Sequence, residues 1–292
     1  MIHVEIRGGL GNQMFEYAFA RNIQEKTGQD ICLHISYLDE DKIGTKRKYE
    51  LDNFQLNPNV KTTYEKLPLI VDNFRNPAIK ILKRLFPKLC FNFFHQFGAY
   101  IWKENTYINF KISPKKNYYL LGFWQSEKYF FNIKETLIKE FVLRKVSDEF
   151  IKAKREISNM DDAVCIHIRR GDFVGSNHEV CDMNYYRDCI NYFMERKPNT
   201  SFVFFSDDVQ WVQSMFSDLQ NSYIVSENII DYEQMMLMSL CKHYILSNSS
   251  FGWWGQYLNA DKNKTVLAPS RWYIDSYDRS IYQDNWVVME KR

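Results

Sequence analysis

The sequence predicts an α/β protein built from two doubly wound domains, each with a parallel sheet. Short apolar strands alternate with amphipathic helices in both halves of the 292-residue chain, and this alternation is typical of parallel sheets. A polar, charged stretch at 144–162 separates the halves. We therefore expect one domain over 1–155 and a second over 156–292, both of ordinary domain size.

The first half opens with a strand, a glycine turn and a helix, and then a second strand. The helix has a broad apolar face and ends at Gly28, a residue type that favours helix C-termini. This order is that of a βαβ unit, which places parallel strands side by side. The predicted elements are a strand from Ile2, a helix over 12–26, strands over 31–35 and 118–124, and a helix over 133–141.

The second half repeats the alternation more regularly. Each apolar run is followed by a loop and an amphipathic segment, the pattern of a doubly wound sheet. The predicted strands cover 164–168, 201–205, 223–225, 244–246 and 265–268; the predicted helices cover 185–196, 209–219 and 231–241, with a last one that opens after 247 and runs through 257.

Composition excludes several classes of protein. A formal net charge of +2 is too small for a nucleic-acid-binding protein, which concentrates basic charge on its surface. The six cysteines are scattered without a Cys-x-x-Cys pair, which argues against a zinc site and against a disulfide scaffold. No apolar run has the length of a membrane span, and Arg7 interrupts the first apolar residues, so no signal peptide is expected.

A basic and aromatic stretch at 75–103 has two interpretations. Lysines and arginines interleave there with leucine, isoleucine and phenylalanine. Such a segment is typical of a helix that packs on a sheet, and we favour that interpretation. Basic amphipathic helices also bind anionic interfaces, so a peripheral contact with a membrane is the alternative.

A cationic loop follows the predicted strand at 164–168. Apolar residues alternate along this strand with polar ones, so His167 and Arg169 point to the same side; Arg170 and Asp172 come next. Open α/β sheets bind ligands beyond the carboxyl ends of their strands, and a guanidinium offers a rigid donor fork suited to a diphosphate. The loop therefore predicts a diphosphate site, although Arg-Arg-Gly-Asp is also typical of a solvated turn.

Two further loops support that prediction. Asn248, Ser249 and Ser250 follow a strand and open a helix, where they serve either as caps alone or as phosphate ligands with the free N–H groups of the first turn. The N-terminal turn is rich in glycine, which permits close backbone approach. A dinucleotide-binding interpretation of this turn fails because Met14 stands where the third glycine is required. The candidate ligands in the turn are Gly9, Gly11, Asn12 and Gln13.

Taken together, these segments resemble the α-1,2-fucosyltransferases. The matching motifs are Gly-Gly-Leu-Gly-Asn-Gln at 8–13, His-Ile-Arg-Arg-Gly-Asp at 167–172 and Asn-Ser-Ser-Phe-Gly-Trp-Trp at 248–254. The resemblance runs from residue 8 to about residue 272. It implies a GT-B-like architecture, with two facing Rossmann-like domains, and an inverting transfer of fucose from GDP-fucose without a metal. GDP-fucose is a co-substrate, so no cofactor is expected.

The resemblance also implies partners and a location. The acceptor is expected to be the 2-hydroxyl of a terminal galactoside, on an oligosaccharide or a lipid-linked glycan, and no nucleic acid is involved. We expect a bacterial enzyme of surface-polysaccharide synthesis that is cytoplasmic or peripheral at the inner face of the membrane. In this architecture the 8–13 loop faces the cleft from the acceptor domain, which is why its residues are candidates to touch donor or acceptor.

The roles expected for the charged residues follow from this reaction. Positive charge must stabilise the departing nucleotide, and the resemblance assigns that role to Arg169, with Arg170 as a second ligand or a brace. His167 lies beside the nucleotide or is a neutral structural residue. Asp231 is expected either to read guanine through its carboxylate or to cap a helix; Asp207 and Asp208 are weaker candidates for the same pocket.

The general base is the least determined role. An inverting transfer needs a proton acceptor within hydrogen-bond reach of the acceptor hydroxyl. Asp172 is the acid nearest the arginine loop and is our choice for a catalytic residue beside Arg169, but it could equally brace an arginine. Other candidates are Glu5, Glu16, His178 and Glu179.

Two competing functions are open at this point. A metal-dependent nucleotide-sugar transferase would use Asp39 and Asp41 to hold a divalent ion, but Asp-x-Asp is a frequent chance pattern. A non-catalytic glycan-binding or nucleotide-binding relative would keep the fold without the chemistry. The complete set of arginine, aspartate and serine residues in the two loops argues against the second alternative.

Overall fold

The computed structural model describes residues 1–40, 47–72, 79, 84–101, 107–110, 112, 116–276 and 279–290. The chain forms two compact units, 1–142 and 143–292, whereas the sequence analysis placed the boundary after residue 155. Asp41 and, within the 75–103 stretch, residues 75–78, 80–83 and 102–103 lie outside the described residues.

The difference at the boundary has a physical reason. Residues Asp148–Ser158 form a helix that begins the second unit, and its N-cap, Ser147, accepts a hydrogen bond from the Phe150 amide at 3.1 Å. Only Phe150, Ala153 and Ile157 of this helix are buried. Its other residues face solvent, so a surface helix has the same polar composition as a linker.

The first unit contains a parallel sheet, with five strands in the described residues in the order β3-β2-β1-β5-β4. Helix α1 begins at Leu10, two residues before the predicted start, and ends at Gly28, which has a left-handed backbone with φ of 68°. The elements are β1 (Ile2–Glu5), α1 (Leu10–Thr27), β2 (Ile31–His34), β3 (Val60–Thr63), α2 (Leu69–Asp72), α3 (Pro87–Gln96), β4 (Ala99–Ile101), β5 (Tyr118–Leu121) and α4 (Lys134–Glu140).

The second unit contains another parallel sheet, with six strands in the part of the chain described, in the order β11-β10-β9-β6-β7-β8. The elements are α5 (Asp148–Ser158), β6 (Val164–Ile168), α6 (Met183–Arg196), β7 (Phe202–Ser206), α7 (Val209–Met215), β8 (Ser222–Ile224), α8 (Asp231–Met238), β9 (His243–Ile245), α9 (Ser250–Tyr257), β10 (Val266–Pro269) and β11 (Val287–Met289). The predicted α/β class with two parallel sheets is confirmed.

Strand β6 lies at the centre of the second sheet. All five of its residues are buried, as are all five of β7, because a parallel sheet is covered on both faces. The chain winds outward from β6 through β7 and β8 on one side and continues with β9, β10 and β11 on the other. The order therefore reverses between β6 and β9, and the crevice at the carboxyl ends of two such strands is where open α/β sheets bind ligands.

The first sheet is wound differently: the chain runs outward from β1 through β2 and β3, crosses to the opposite edge at β4, and returns to β5 beside β1. The glycine turn follows β1, and the segment 122–126 follows β5. Three short strands were absent from the sequence prediction: β3, β4 and β11. Each lies at the edge of its sheet, and β3 and β11 bury none of their residues completely, so they carry little hydrophobic periodicity.

Candidate active site

The arginine loop and the serine loop meet at one edge of the second sheet. The amide of Ser247 donates to the carbonyl of His167 at 3.2 Å, and the Ser247 hydroxyl lies 2.9 Å from His167 Nδ1. Arg169 follows His167 by two residues along the chain, and Ser249 follows Ser247 by two residues. The two loops therefore leave β6 and β9 at the point where the strand order reverses.

His167 is part of this junction rather than an exposed ligand. Its side chain is 4% exposed and lies under α9, where a Cβ added to Gly252 would come within 2.5 Å of Nδ1. Burial, and to a lesser extent the charge of Arg169, lowers the pKa of His167 to about 3. The ring is therefore neutral at pH 7, which agrees with the structural alternative considered for this residue.

Arg169 is held by two carboxylates. Its Nε and one terminal nitrogen donate to Asp172 Oδ1 at 3.0 and 2.9 Å, and its other terminal nitrogen lies 3.0 Å from Asp207 Oδ2. The side chain is 28% exposed, so its guanidinium remains accessible to a ligand. The sequence analysis left open whether Asp172 braces an arginine, and in the structure it pairs with Arg169.

Arg170 has a different environment. Its Nε donates to Asp208 Oδ2 at 3.0 Å, and its guanidinium carbon lies 4.1 Å from the centre of the Trp211 ring in α7, within the range of a cation–π contact. Asp208 also caps α7 by accepting from the Trp211 amide at 3.0 Å. These contacts fix Arg170 against α7 and suit a bracing role.

Asp207 organises the whole loop. Its two carboxylate oxygens accept from the backbone amides of Arg170 at 2.8 Å and Gly171 at 3.0 Å, in addition to the contact with Arg169. Asp207 directly follows β7, the neighbour of β6. The sequence analysis considered this residue only for guanine recognition. The signal that could have revealed its structural role is its position one residue beyond a strand adjacent to β6.

The cluster as a whole is not strongly positive. It joins the guanidiniums of Arg169 and Arg170 to the carboxylates of Asp172, Asp207 and Asp208. The formal charges of these five groups therefore sum to −1.

The serine loop supplies a helix N-terminus. Ser249 is the N-cap of α9, and its hydroxyl accepts from the Phe251 amide at 3.3 Å. Ser250, the first residue of α9, is half-buried. The first turn of a helix leaves N–H groups without intrahelical partners, which bind phosphate well. As predicted, the following Trp253 and Trp254 are fully buried and pack in the core.

Asn248 serves the loops around the site. It is buried, and its amide nitrogen donates to the carbonyls of His178 at 3.0 Å and Trp272 at 2.7 Å. The Cys181 thiol lies 3.8 Å from its Oδ1. These contacts occupy the side-chain amide, so Asn248 positions the segments that carry His178 and Trp272, and its predicted contact with the ligand stays a prediction.

Asp231 is the first residue of α8 and is exposed. The N-cap position itself belongs to Ile230, which has no side-chain cap. The acid buried in this helix is instead Glu233, which accepts from the amide and hydroxyl of Ser147 at 2.6 and 2.7 Å. Of the two roles considered for Asp231, the plain N-cap is excluded.

The glycine turn of the first unit is tightly organised. Gly8 has a φ of 69°, a conformation that favours glycine, Gly9 is the N-cap of α1, and Gly11 is buried. Gln13 is fully buried; its side chain donates to the carbonyls of Gly8 at 3.0 Å and Lys48 at 2.7 Å and accepts from the Glu50 amide at 3.0 Å. Gln13 is therefore a structural clamp in this structure.

Asn12 differs from its neighbour because it is only half-buried. Its Oδ1 accepts from Gln125 Nε2 at 2.7 Å, which joins the loops after β1 and β5. Gln125 was not identified from the sequence, and its place beyond the end of a strand is the signal that could have found it.

The remaining candidates for the general base are all engaged. Glu5 pairs with Arg7 at 2.6 Å, and Glu16 accepts from the Arg7 amide at 3.1 Å. The His178 ring stacks on Phe173 with a centroid distance of 4.9 Å, and Glu179 accepts from the Gly175 amide at 2.7 Å. Asp172 remains the exposed acid in direct contact with Arg169.

Metal ligands do not gather around this site. Within 143–276 and 279–290, no three His, Cys, Asp or Glu side chains converge closely enough to hold an ion. Asp39 of the competing hypothesis is exposed in the 3₁₀ segment Ile35–Glu40, directly after β2, and its proposed partner Asp41 lies outside the described residues. No helix in the described parts of the chain is long and apolar enough to cross a membrane.

These features define an α/β protein with two parallel sheets, whose second sheet brings a pair of arginines and a helix N-terminus to the point where its strand order reverses. The sequence profile described as Glycosyl transferase family 11 matches residues 1–290. The chain therefore belongs to glycosyltransferase family 11. This confirms the family resemblance seen in the sequence motifs.

Individual relatives agree with this assignment. The chain is 30% identical to the O-antigen biosynthesis glycosyltransferase WbnK of Escherichia coli, over 97% of this chain and 98% of that protein. It is also 30% identical to an alpha-1,2-colitosyltransferase of Escherichia coli, over 100% of this chain and 99% of that protein. The fold is similar to that of the fucosyltransferase NodZ from Bradyrhizobium, with a TM-score of 0.51 and 11% identity over 87% of this chain and 92% of that one.

Proposed function

We propose that this glycosyltransferase is an inverting α-1,2-fucosyltransferase that moves fucose from GDP-fucose to the 2-hydroxyl of a terminal galactoside. The observation that carries the proposal is the meeting of Arg169 and the N-terminus of α9 at the point where the strand order reverses. A guanidinium fork and free helix amides are two independent donors for one diphosphate. The motif resemblance to α-1,2-fucosyltransferases supplies the sugar and the linkage.

The reaction breaks the bond between fucose C1 and the phosphate oxygen while the galactoside oxygen bonds to C1 from the opposite face. Negative charge develops on the departing GDP, so fixed donors at the diphosphate stabilise the transition state more than the ground state. Arg169 and the first turn of α9 provide these donors. We propose that they suffice and that the transfer needs neither a metal nor another cofactor.

Asp172 and Asp207 prepare Arg169 for this task. They hold its guanidinium through three contacts between 2.9 and 3.0 Å. The diphosphate then replaces part of this set, which limits the conformational entropy lost on binding. We assign Asp172 a positioning role, because its Oδ1 accepts both hydrogen bonds that it receives from Arg169.

The base of the donor is assigned to the exposed carboxylate of Asp231. A carboxylate can accept two hydrogen bonds from the N1 and N2 donors of guanine, which adenine does not offer. Asp231→Asn should therefore weaken the preference for GDP over ADP more than it lowers affinity overall. Equal losses with both nucleotides would show that Asp231 only stabilises the start of α8.

Calorimetry with nucleotides tests the donor site directly. The purified protein is titrated with GDP, ADP and UDP, with and without EDTA. We expect selective GDP binding that survives the chelator, after which galactosides are screened as acceptors with GDP-fucose and EDTA present. Preference for UDP, or binding that disappears with EDTA, would contradict the proposal and favour the metal-dependent alternative. GDP binding without turnover on any glycan would favour a non-catalytic relative.

A second candidate activity is α-1,2 transfer of colitose, which is fucose without its 3-hydroxyl group. The full-length identity to an alpha-1,2-colitosyltransferase supports it. The same anion site would serve both donors, so the two activities differ only in the pocket for the sugar. Turnover of nucleotide-activated colitose at a kcat/KM higher than that of GDP-fucose would favour this second candidate.

Contact with a membrane surface is a further part of the proposal. Helix α3 buries Cys90 and Phe94, which confirms that one face packs on the first unit's sheet, but Leu89 and Phe93 are 67% and 49% exposed. Exposed apolar side chains in a segment whose sequence is rich in lysine and arginine suit an anionic lipid interface. The protein should float with vesicles that contain anionic lipid, and Leu89→Ser with Phe93→Ser should reduce flotation. Equal flotation of the double variant would exclude this surface.

A further inference from the structure

The first unit carries a cluster of metal-binding side chains that is separate from the anion site. Within the described residues, His3, Cys32 and His34 are the one group of three His, Cys, Asp or Glu side chains whose ligand atoms all lie within 4.8 Å of one another. His3 belongs to β1, and Cys32 and His34 belong to β2. Nothing in the reaction proposed above uses any of the three.

The sheet itself creates the cluster. His3 and Cys32 are register partners across the parallel pair of β1 and β2, so their side chains leave the same face of the sheet. His34 lies two residues beyond Cys32 and therefore points to that face as well. All three ligands stand on strands in the interior of the five-stranded sheet, which is a more rigid support than a loop.

The two imidazoles are already oriented towards one another. His34 Nδ1 lies 2.7 Å from the carbonyl of Glu65, and His34 Nε2 lies 3.0 Å from His3 Nδ1. A carbonyl only accepts hydrogen bonds, so His34 carries its proton on Nδ1 and offers the lone pair of Nε2. Metal-bound histidines commonly donate their other ring N–H to a backbone carbonyl, which fixes the tautomer in this way.

The side chains of His3 and Cys32 are accessible to solvent. The His3 ring stacks on Tyr119 with a centroid distance of 5.0 Å and an interplanar angle of 16°, which limits its rotation. His3 and Cys32 are half-buried, whereas His34 is buried. An ion can therefore reach the cluster from solvent while one ligand anchors it from the interior.

We propose that His3, Cys32 and His34 form a zinc-binding site with one coordination position open to water. Two imidazole nitrogens and one thiolate are a donor set that suits Zn²⁺. In tetrahedral coordination the ligand atoms stand about 3.3 to 3.7 Å apart, so the observed cluster closes around an ion by rotation of side chains. Magnesium and calcium prefer oxygen ligands and should not compete.

Zinc binding requires one deprotonation and one change of tautomer. The Cys32 thiol loses its proton to the solvent, and His3 transfers its Nδ1 proton to Nε2, so that Nδ1 coordinates. One Zn²⁺ ion thus binds two neutral imidazoles and one thiolate, with a net charge of +1 and the release of one proton. The bound ion links β1 to β2 and should stabilise the first unit against unfolding.

Cobalt provides a spectroscopic test of this site. The tag-free, full-length protein is treated with EDTA, dialysed and titrated with Co²⁺. We expect one ion per chain, with a thiolate-to-cobalt charge-transfer band and the intense visible absorption of tetrahedral cobalt, both displaced by Zn²⁺. Cys32→Ser should remove the charge-transfer band, and His3→Gln should weaken binding by more than about a hundredfold, because loss of a direct ligand costs more than the tenfold to hundredfold caused by loss of an outer-shell partner.

Cys90→Ser is the matched control, because Cys90 is the other cysteine of the first unit among the described residues. This variant should keep the full cobalt spectrum. Absence of the band in the wild-type protein, or its persistence in Cys32→Ser, would overturn the proposal. A second measurement is the unfolding midpoint, which Zn²⁺ at a hundredfold excess over its Kd should raise by about 5 °C in the wild-type protein and not in Cys32→Ser. An equal rise in that variant would also overturn it.

Discussion

The loops that follow the first strand of each unit are organised in different ways. Both strands, β1 and β6, lie inside their parallel sheets, and the strand order reverses beside β6, between β6 and β9. In the first unit the turn after β1 is held by the buried side chain of Gln13, which bonds three backbone groups. In the second unit the loop after β6 carries Arg169, which is partly exposed and paired with two acids.

The hydrogen bonds of a buried side chain hold the first loop, whereas the second loop carries the arginine that we propose as a ligand of the diphosphate. Gln13 satisfies backbone donors and acceptors that would otherwise be buried without partners, so its contribution is to stability. We propose that an incoming diphosphate replaces part of the carboxylate contacts of Arg169, so its contribution is to binding. Variants at the two sites should therefore affect different measurements.

The largest effect is expected at Arg169. Arg169→Ala should lower kcat/KM by about 10³-fold, because a preorganised donor to the developing charge is lost. Arg169→Lys should recover little, since a point charge does not replace a bidentate fork. Steady-state kinetics with GDP-fucose measure both variants.

A surface arginine provides the control for that experiment. Arg187 pairs with Asp218 at 2.8 Å on the outside of α6, and Arg187→Ala should keep nearly full activity. A lysine variant at Arg169 that is nearly as active as the wild type would refute the diphosphate assignment.

Gln13→Ala should show the opposite behaviour. It leaves the carbonyls of Gly8 and Lys48 and the amide of Glu50 without their partner, which should lower the free energy of unfolding by about 3 kcal/mol. Denaturant titration measures this loss, and Gln96→Ala, at the exposed end of α3, is the control. A kcat for the folded variant far below that of the wild type would mean that Gln13 also acts in the reaction.

Asp207→Ala tests the organisation of the arginine loop. Two backbone amides and Arg169 lose their common acceptor, so the guanidinium should be misplaced, at a cost of about 10²-fold in kcat/KM. Affinity for GDP by calorimetry should fall with it. Unchanged kinetics would show that the loop keeps its shape without this carboxylate.

Acid should destabilise the second unit through His167. The pKa of this residue is about 3 in the folded protein and about 6.5 in an unfolded chain. Between these two pH values only the unfolded chain binds a proton at this ring, so the free energy of unfolding falls as the pH is lowered from 6.5 towards 3. The expected slope is about 1.4 kcal/mol per pH unit for one proton. Urea titrations at pH 7, 6 and 5 should show a slope that is smaller in His167→Asn by this amount, and equal slopes would contradict the argument.

The smallest effect is expected at Asp172. As a positioning residue, Asp172→Asn should raise KM for GDP-fucose about tenfold, with the pH dependence of kcat unchanged. If Asp172 is instead the proton acceptor, kcat should fall far more and its dependence on a basic group should disappear. The pH profile of kcat therefore separates the two roles.

The sequence predicts the centre of each sheet well and its margins poorly. The bounds of β6 match the predicted 164–168 completely, because a central strand has a continuous apolar pattern. Strands β3 and β11 are short and bury no residue completely, and α5 looks like a linker because most of its surface is solvated. In these elements tertiary packing outweighs the local pattern.

The sequence predicts where the candidate site lies, but it does not predict which side chains contact one another there. The motifs place Arg169 and the serine loop at strand ends, and parallel topology brings those ends together. That Asp207 grips the arginine loop, or that His3 meets Cys32, depends on the register between neighbouring strands. Spacing along the chain does not reveal that register, and for this reason a search for Cys-x-x-Cys pairs finds no metal site here.

The first turn of α9 has a consequence for how such a site can evolve. The donors that we propose there for the diphosphate are backbone N–H groups, which every residue except proline possesses. Most point mutations therefore leave this half of the site unchanged, and a scan with alanine would not detect it. Substitutions of the surrounding side chains can change the sugar or the acceptor while the backbone still binds the diphosphate. A family with such a site can therefore diversify its products and keep the same anion site.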